Sequence, residues 1–123
     1  MEIARENAEP NVVRAWEPGR VRVGGKWIEG HVIISADRLI TGWSIASAET
    51  IGLEALRPAI ELSPEIILIG TGRDVLLPNL ELMRSLAAEA IGVETMTTPA
   101  ACRTFNVLLN EHRRVVAALF NPG

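Results

Sequence analysis

The sequence holds no tyrosine and only one cysteine, and its few histidines and aspartates are His31, His112, Asp37 and Asp74. Each scarcity removes a class of chemistry. The single thiol, Cys102, forms neither an internal disulfide nor a CxxC metal pair, and it fits a reducing, cytoplasmic setting. The histidines and aspartates stand far apart, with no HxxxH or HExxH spacing, so neither a metal nor another cofactor is expected. Among the 12 basic residues only Arg113 and Arg114 are adjacent. Without a basic stripe, nucleic acid is not expected as a partner. No apolar run approaches the ~20 residues that cross a bilayer, so direct membrane insertion is not expected. Residues Met1 to Asn7 also lack the apolar core of a secretory signal.

What is present reads as one globular domain. A hydrophobic fraction of 48% with 22% charged residues is the opposite of a disordered composition. A chain of 123 residues can bury roughly two-thirds of its unfolded surface, so its core needs no disulfide or metal. The net charge of −3 mainly favours solubility.

Residues 1–11 are polar, end in Pro10-Asn11 and read as a flexible tail, leaving 12–123 as the domain. From Val12 to Ser44 the pattern is strand-like. Val21-Arg22-Val23 and Lys26-Trp27-Ile28 flank Gly24-Gly25, a hairpin signal. Glu17-Pro18-Gly19 and Ala36-Asp37-Arg38 mark further turns. An antiparallel meander is therefore expected. Ala48 to Ile60 has weak helical spacing, limited near its end by Pro58.

The period then changes. Ile66-Ile67-Leu68-Ile69 is a continuous apolar run, as expected of a strand buried on both faces. Asn79 is a fitting N-cap, with Leu80, Met83, Ala87 and Ala90 on one helical face and Gly92 as the C-terminal glycine. Val93 to Met96 reads as a strand. Thr98 reads as the next N-cap, with Pro99 at the first helical position. Val115 to Phe120 is the last strand. The fold class is α/β: a single compact layered domain with a mixed, mostly parallel core sheet, an N-terminal antiparallel β-meander and two to three helices.

Two segments carry candidate chemistry. Gly70-Thr71-Gly72 follows the buried strand, where ligands bind in α/β sheets. It is only GxG, however. Val75 stands where a third glycine of the dinucleotide fingerprint belongs, and no GK[ST] follows. A tight structural turn outweighs a nucleotide site. The second segment is the helix start at Thr98, where free N–H groups and the dipole suit an anion. Arg103 and Asn106 are neighbours on that helix. If both loops share one sheet edge, Gly70, Thr71, Gly72, Thr98, Cys102, Arg103 and Asn106 line a crevice for an anionic ligand. The blander reading has Thr98 capping, Arg103 paired with a carboxylate and Asn106 bonded to a loop. The dipole could lower the pKa of Cys102. His112, about 15 Å further along the axis, cannot act as its base, so a buried structural thiol is favoured. Trp16, Trp27 and Trp43 form either a core filler or, if they share a face, a protein-contact patch.

The residues Pro64-Glu65-Ile66-Ile67-Leu68-Ile69-Gly70-Thr71-Gly72, Gly92-Val93-Glu94-Thr95-Met96 and Thr98-Pro99-Ala100-Ala101-Cys102-Arg103-Thr104-Phe105-Asn106-Val107-Leu108 follow one another in order. With the closing Arg114-Val115-Val116-Ala117-Ala118-Leu119, they resemble the Mth-type domain family of unknown function. That family includes the mitochondrial NADH dehydrogenase (complex I) assembly factor 3 and the adipogenesis-associated Mth-domain-containing protein. The resemblance implies a layered α/β fold with a mixed sheet. It also implies a non-catalytic role: assisting assembly of a respiratory or membrane complex through protein partners. It supplies no catalytic residues. Thr97 stands where many relatives have Asp, and His112 where many have Gly.

Overall fold

The computed structural model describes residues 2–4 and 9–123. The first strand, β1 (Glu2–Ala4), precedes three short strands, β2 (Val13–Glu17), β3 (Arg20–Val23) and β4 (Lys26–Glu29). A hairpin follows, β5 (Val32–Ile34) and β6 (Arg38–Thr41), then a 3-10 turn at Ala48–Thr50 and helix α1 (Leu53–Ile60). The C-terminal half is β7 (Ile66–Thr71), α2 (Leu80–Ala87), β8 (Gly92–Met96), α3 (Thr98–Asn110) and β9 (Val115–Phe120).

The α/β class, the meander and the three helices agree with the sequence reading, and the sheet arrangement adds detail. β2, β3 and β4 form a separate antiparallel sheet. The hairpin β5–β6 leaves the meander and joins the main sheet, in the order β1-β6-β5-β9-β7-β8. Only β7 with β8 and β7 with β9 run parallel; the other three pairings are antiparallel. The parallel half holds the two strand–helix–strand crossovers through α2 and α3, because strands running the same way need a long return.

The main sheet is covered on both faces. Alternate residues Val32, Ile34, Leu68, Ala117 and Leu119 face α3 and the small sheet, where Phe105, Val21 and Ile28 complete one core. Their neighbours Ile33, Ile67, Ile69, Val116 and Ala118 face α1 and α2, where Leu56, Leu82, Leu86 and Trp43 complete the other. Two-sided burial explains why all six residues of β7 are buried and why its sequence runs apolar without alternating.

Several local expectations change. Glu2–Ala4 pairs with β6, and Asn11 is fully buried, its side chain donating to the carbonyls of Ser35 and Arg38. The segment read as a flexible tail is thus held at both places; residues 1 and 5–8 of it lie outside the described residues. β6 offers an open strand edge, which local composition does not register. Pro58 sits inside α1 rather than ending it. On α2 the buried face is Leu82 and Leu86, while Leu80 is exposed. Asn79 does cap this helix, accepting from the Leu82 amide at 3.0 Å. The left-handed residue that ends it is Ala90 (φ +62°), not Gly92, which opens β8. Helix α1 is followed by Ser63 and α3 by His112, also at positive φ.

Candidate functional site

The two segments singled out in the sequence do meet, and they close on one another. Thr98 is not the cap of α3. That position belongs to Thr97, whose side chain makes no capping bond. Thr98 lies fully buried in the first turn. Its hydroxyl accepts from the Gly72 amide at 2.8 Å and donates to the Phe120 carbonyl at 2.6 Å. Its own amide donates to the Gly72 carbonyl at 2.8 Å. One threonine therefore ties the carboxyl ends of β7 and β9 to the start of α3. The glycines follow from this clasp. A Cβ on Gly70 would sit 2.9 Å from the Thr98 hydroxyl and 3.0 Å from its Cα, so the helix could not approach as closely. Gly72 holds φ +87°, which a side chain would strain. Thr71 is buried, its hydroxyl 2.6 Å from the Asp74 carbonyl and 3.1 Å from that of Met96.

Cys102, Arg103 and Asn106 lie on the other side of the clasp, in a groove of about 260 Å³ between α3 and β2. Asn106 grips β2 with both ends of its amide: Oδ1 accepts from the Val13 amide at 3.0 Å and Nδ2 donates to the Val13 carbonyl at 2.8 Å. Arg103 is exposed and faces Arg14 across the groove. Cys102 is buried, and burial pushes its thiol up to about 12, opposed only in part by the nearby Arg103 charge. The helix start therefore does not make a reactive thiolate of it. Of the seven candidate residues, Gly70, Gly72 and Thr98 thus form a sealed clasp, Cys102, Arg103 and Asn106 line a shallow groove, and Thr71 stands beside the clasp on the wall of a separate concavity.

The three tryptophans do not share a face. Trp16 packs on the α3 side and donates through Nε1 to Oδ1 of the buried Asn121 at 2.9 Å. Trp43 is buried on the opposite side of the main sheet and donates to the Ala55 carbonyl at 2.9 Å. Trp27 lies on the outer face of the small sheet, where the Arg20 guanidinium stacks 4.0 Å over its ring. His31 stacks on Phe120 and its Nδ1 accepts from the Asn121 amide at 2.8 Å. Burial lowers its pKa.

Sequence reasoning missed another open concavity, apart from Thr71 on its wall. It holds about 470 Å³ at the carboxyl ends of β7 and β8, beneath the loop 72–79. This is the place where α/β sheets bind ligands, and the volume lies in the range of small-molecule sites. Ile51, Ile69 and Leu82 form apolar walls, with Thr71 and Thr95 among them. Over the rim stand Val75 and Leu77, 78% and 92% exposed. Four apolar residues of the stretch Val75-Leu76-Leu77-Pro78 were the available signal. Their run is short and lies between elements, so no periodicity marked it. Among the described residues, no group of His, Cys, Asp and Glu side chains assembles a metal site, and no helix is long and apolar enough to cross a membrane.

Comparison with known proteins agrees with the resemblance read from Pro64 onward. The NADH dehydrogenase (ubiquinone) 1 alpha subcomplex assembly factor 3 of Danio rerio is 29% identical over 120 residues, covering 96% of this chain and 68% of that protein. The chain thus spans about two-thirds of that relative's length. A crystal structure from Bordetella parapertussis superposes with a TM-score of 0.85 at 34% identity, covering 94% of this chain and 99% of that one. A solution structure from Bordetella pertussis, described as a Mth938-like domain, gives 0.79 at 28% identity over 97% and 93%. A family model matches residues 13–120, and the chain belongs to that family, the protein of unknown function family DUF498/DUF598.

Proposed function

We propose that this chain is a non-catalytic, protein-binding module that assists assembly of a membrane-bound respiratory complex. The assembly role is supported by the likeness to assembly factor 3. Protein binding is supported above all by the exposed apolar loop at Val75 and Leu77 over an apolar concavity. Exposed apolar residues clustered around a cavity mark interaction surfaces more often than bare solvent faces. The sealed clasp at Thr98 adds support, since the Gly72 and Thr98 amides and the Thr98 hydroxyl are already engaged within it.

The test replaces the native copy with L77D in the cells that carry it. Leu77 is almost fully exposed, so the variant folds. The expected result is normal protein level with reduced assembled respiratory complex on native gels. Full assembly with a folded L77D protein would refute the reading.

A second reading, a site for a small anionic ligand, rests on one observation. Arg14 and Arg103 flank the groove beside α3, and among the described residues no ion pair engages either guanidinium. Calorimetric titration with inorganic phosphate tests it. Binding lost in R103A supports the site, and no heat at millimolar phosphate excludes it.

A further inference from the structure

We infer that the concavity at the carboxyl ends of β7 and β8 takes an amphipathic helix of a partner protein, apolar on one face and basic on its flanks. The inference rests on the protein-binding reading and names the partner's chemistry. The 470 Å³ concavity adjoins a second one of about 270 Å³, Asn79 and Leu82 standing in the lining of both. Their linings together make a trough that reaches from the loop 72–79 to Leu53 at the start of α1. The exposed side chains of Val75 and Leu77 line the first concavity and that of Leu53 the second.

Its charge is one-sided. Glu49 lines the first concavity and Glu81 the second, and both are exposed. Among the described residues, no Lys or Arg lines either one. Arg73, the nearest basic residue in the loop, lines neither. The first concavity is mainly apolar and the second more polar, and with carboxylates on both they complement an apolar stripe flanked by Lys and Arg. Side chains form the walls, so the occupant must be recognised by its side chains. A helix supplies an apolar stripe while keeping its own backbone bonds satisfied, which suits such a trough.

The experiment measures binding of the full chain to two fluorescently labelled, 18-residue helical peptides by anisotropy. Both carry the same leucine stripe; one has lysines on its polar face and the other glutamates. At low salt the lysine peptide should bind about tenfold more tightly, the effect of two exposed ion pairs, and added salt should narrow the gap. The double variant E49K/E81K should abolish or reverse the preference, and L77D should weaken both peptides. A preference that is absent, or that survives E49K/E81K, overturns the basic-helix inference. If L77D still weakens binding in that case, the protein-binding reading stands. If L77D affects neither peptide, both fall. Vesicles of phosphatidylglycerol complete the set, and L77D-sensitive binding to them would assign the face to a bilayer surface and overturn the inference.

Discussion

Replacing Thr98 with valine keeps its shape and removes only the hydroxyl. Two backbone groups then lose their partner: the buried Gly72 amide and the half-buried Phe120 carbonyl. An unsatisfied buried donor or acceptor costs about 1–3 kcal/mol. The pair therefore costs about 2–6 kcal/mol, partly offset by the apolar methyl that valine adds. Thr98→Ser is the control. It keeps both hydrogen bonds and removes one methyl, a loss of about 1 kcal/mol. The assay is urea unfolding of the two variants beside the parent, read as ΔG from the midpoint and slope. Valine should cost about 3 kcal/mol, a large share of the 5–15 kcal/mol that holds a typical domain folded. Native-state hydrogen exchange should show the Gly72 amide losing protection in T98V but not in T98S. If T98V proves as stable as T98S, the hydroxyl does not tie the strands to α3, and the account of the clasp is wrong.

Three further outcomes follow from the same geometry. Cys102, buried and with its thiol pushed up to about 12, should stay unreactive toward a disulfide reagent at pH 8 until denaturant opens the fold; rapid native labelling would contradict its burial. His31 has a pKa below its usual value because burial disfavours the charged ring, and protonating Nδ1 would also displace the Asn121 amide. The unfolded chain binds this proton first, so stability should fall as pH drops below about 6.5, through the unfolded value toward the lower folded one. In H31Q that part of the slope should vanish; an unchanged pH profile would assign it elsewhere. Ala90 and His112 hold left-handed positions that end α2 and α3, with Ile91 donating to the Leu86 carbonyl and Arg113 to that of Leu108. Left-handed geometry costs a side chain roughly 1–2 kcal/mol, and glycine's greater freedom in the unfolded chain returns about half of that. A90G and H112G should each raise stability by about 0.5–1 kcal/mol and add in the double variant, as calorimetry can show.

The helix ends show where sequence signals mislead. Gly92 looked like the residue that stops α2, because glycine is the usual occupant of that position. The chain instead bends at Ala90, and the bond from Ile91 to Leu86 fixes the bend. The face of α2 was misread for a related reason. Leu80 and Leu82 are equally apolar, and eight residues give too few turns for periodicity to choose between them. Packing against Ile67, Ile69 and Val93 makes that choice, burying Leu82 and leaving Leu80 exposed.

By itself the sequence determined the alternation of strands and helices after Glu65, the Asn79 cap, the meander and the α/β class. These depend on contacts between near neighbours, which local patterns record. It also determined the family, because several ordered motifs survive together. Only the tertiary structure decided which way Thr98 points. A threonine before a proline reads as a cap, yet its hydroxyl bridges two strands more than twenty residues away in sequence. That bridge closes the crevice expected at Gly70–Gly72 and leaves the open surface on the α2 side, under Val75 and Leu77. No local pattern carries that information, because the trough forms only where a loop, a 3-10 turn and a helix from separate stretches come to one sheet edge.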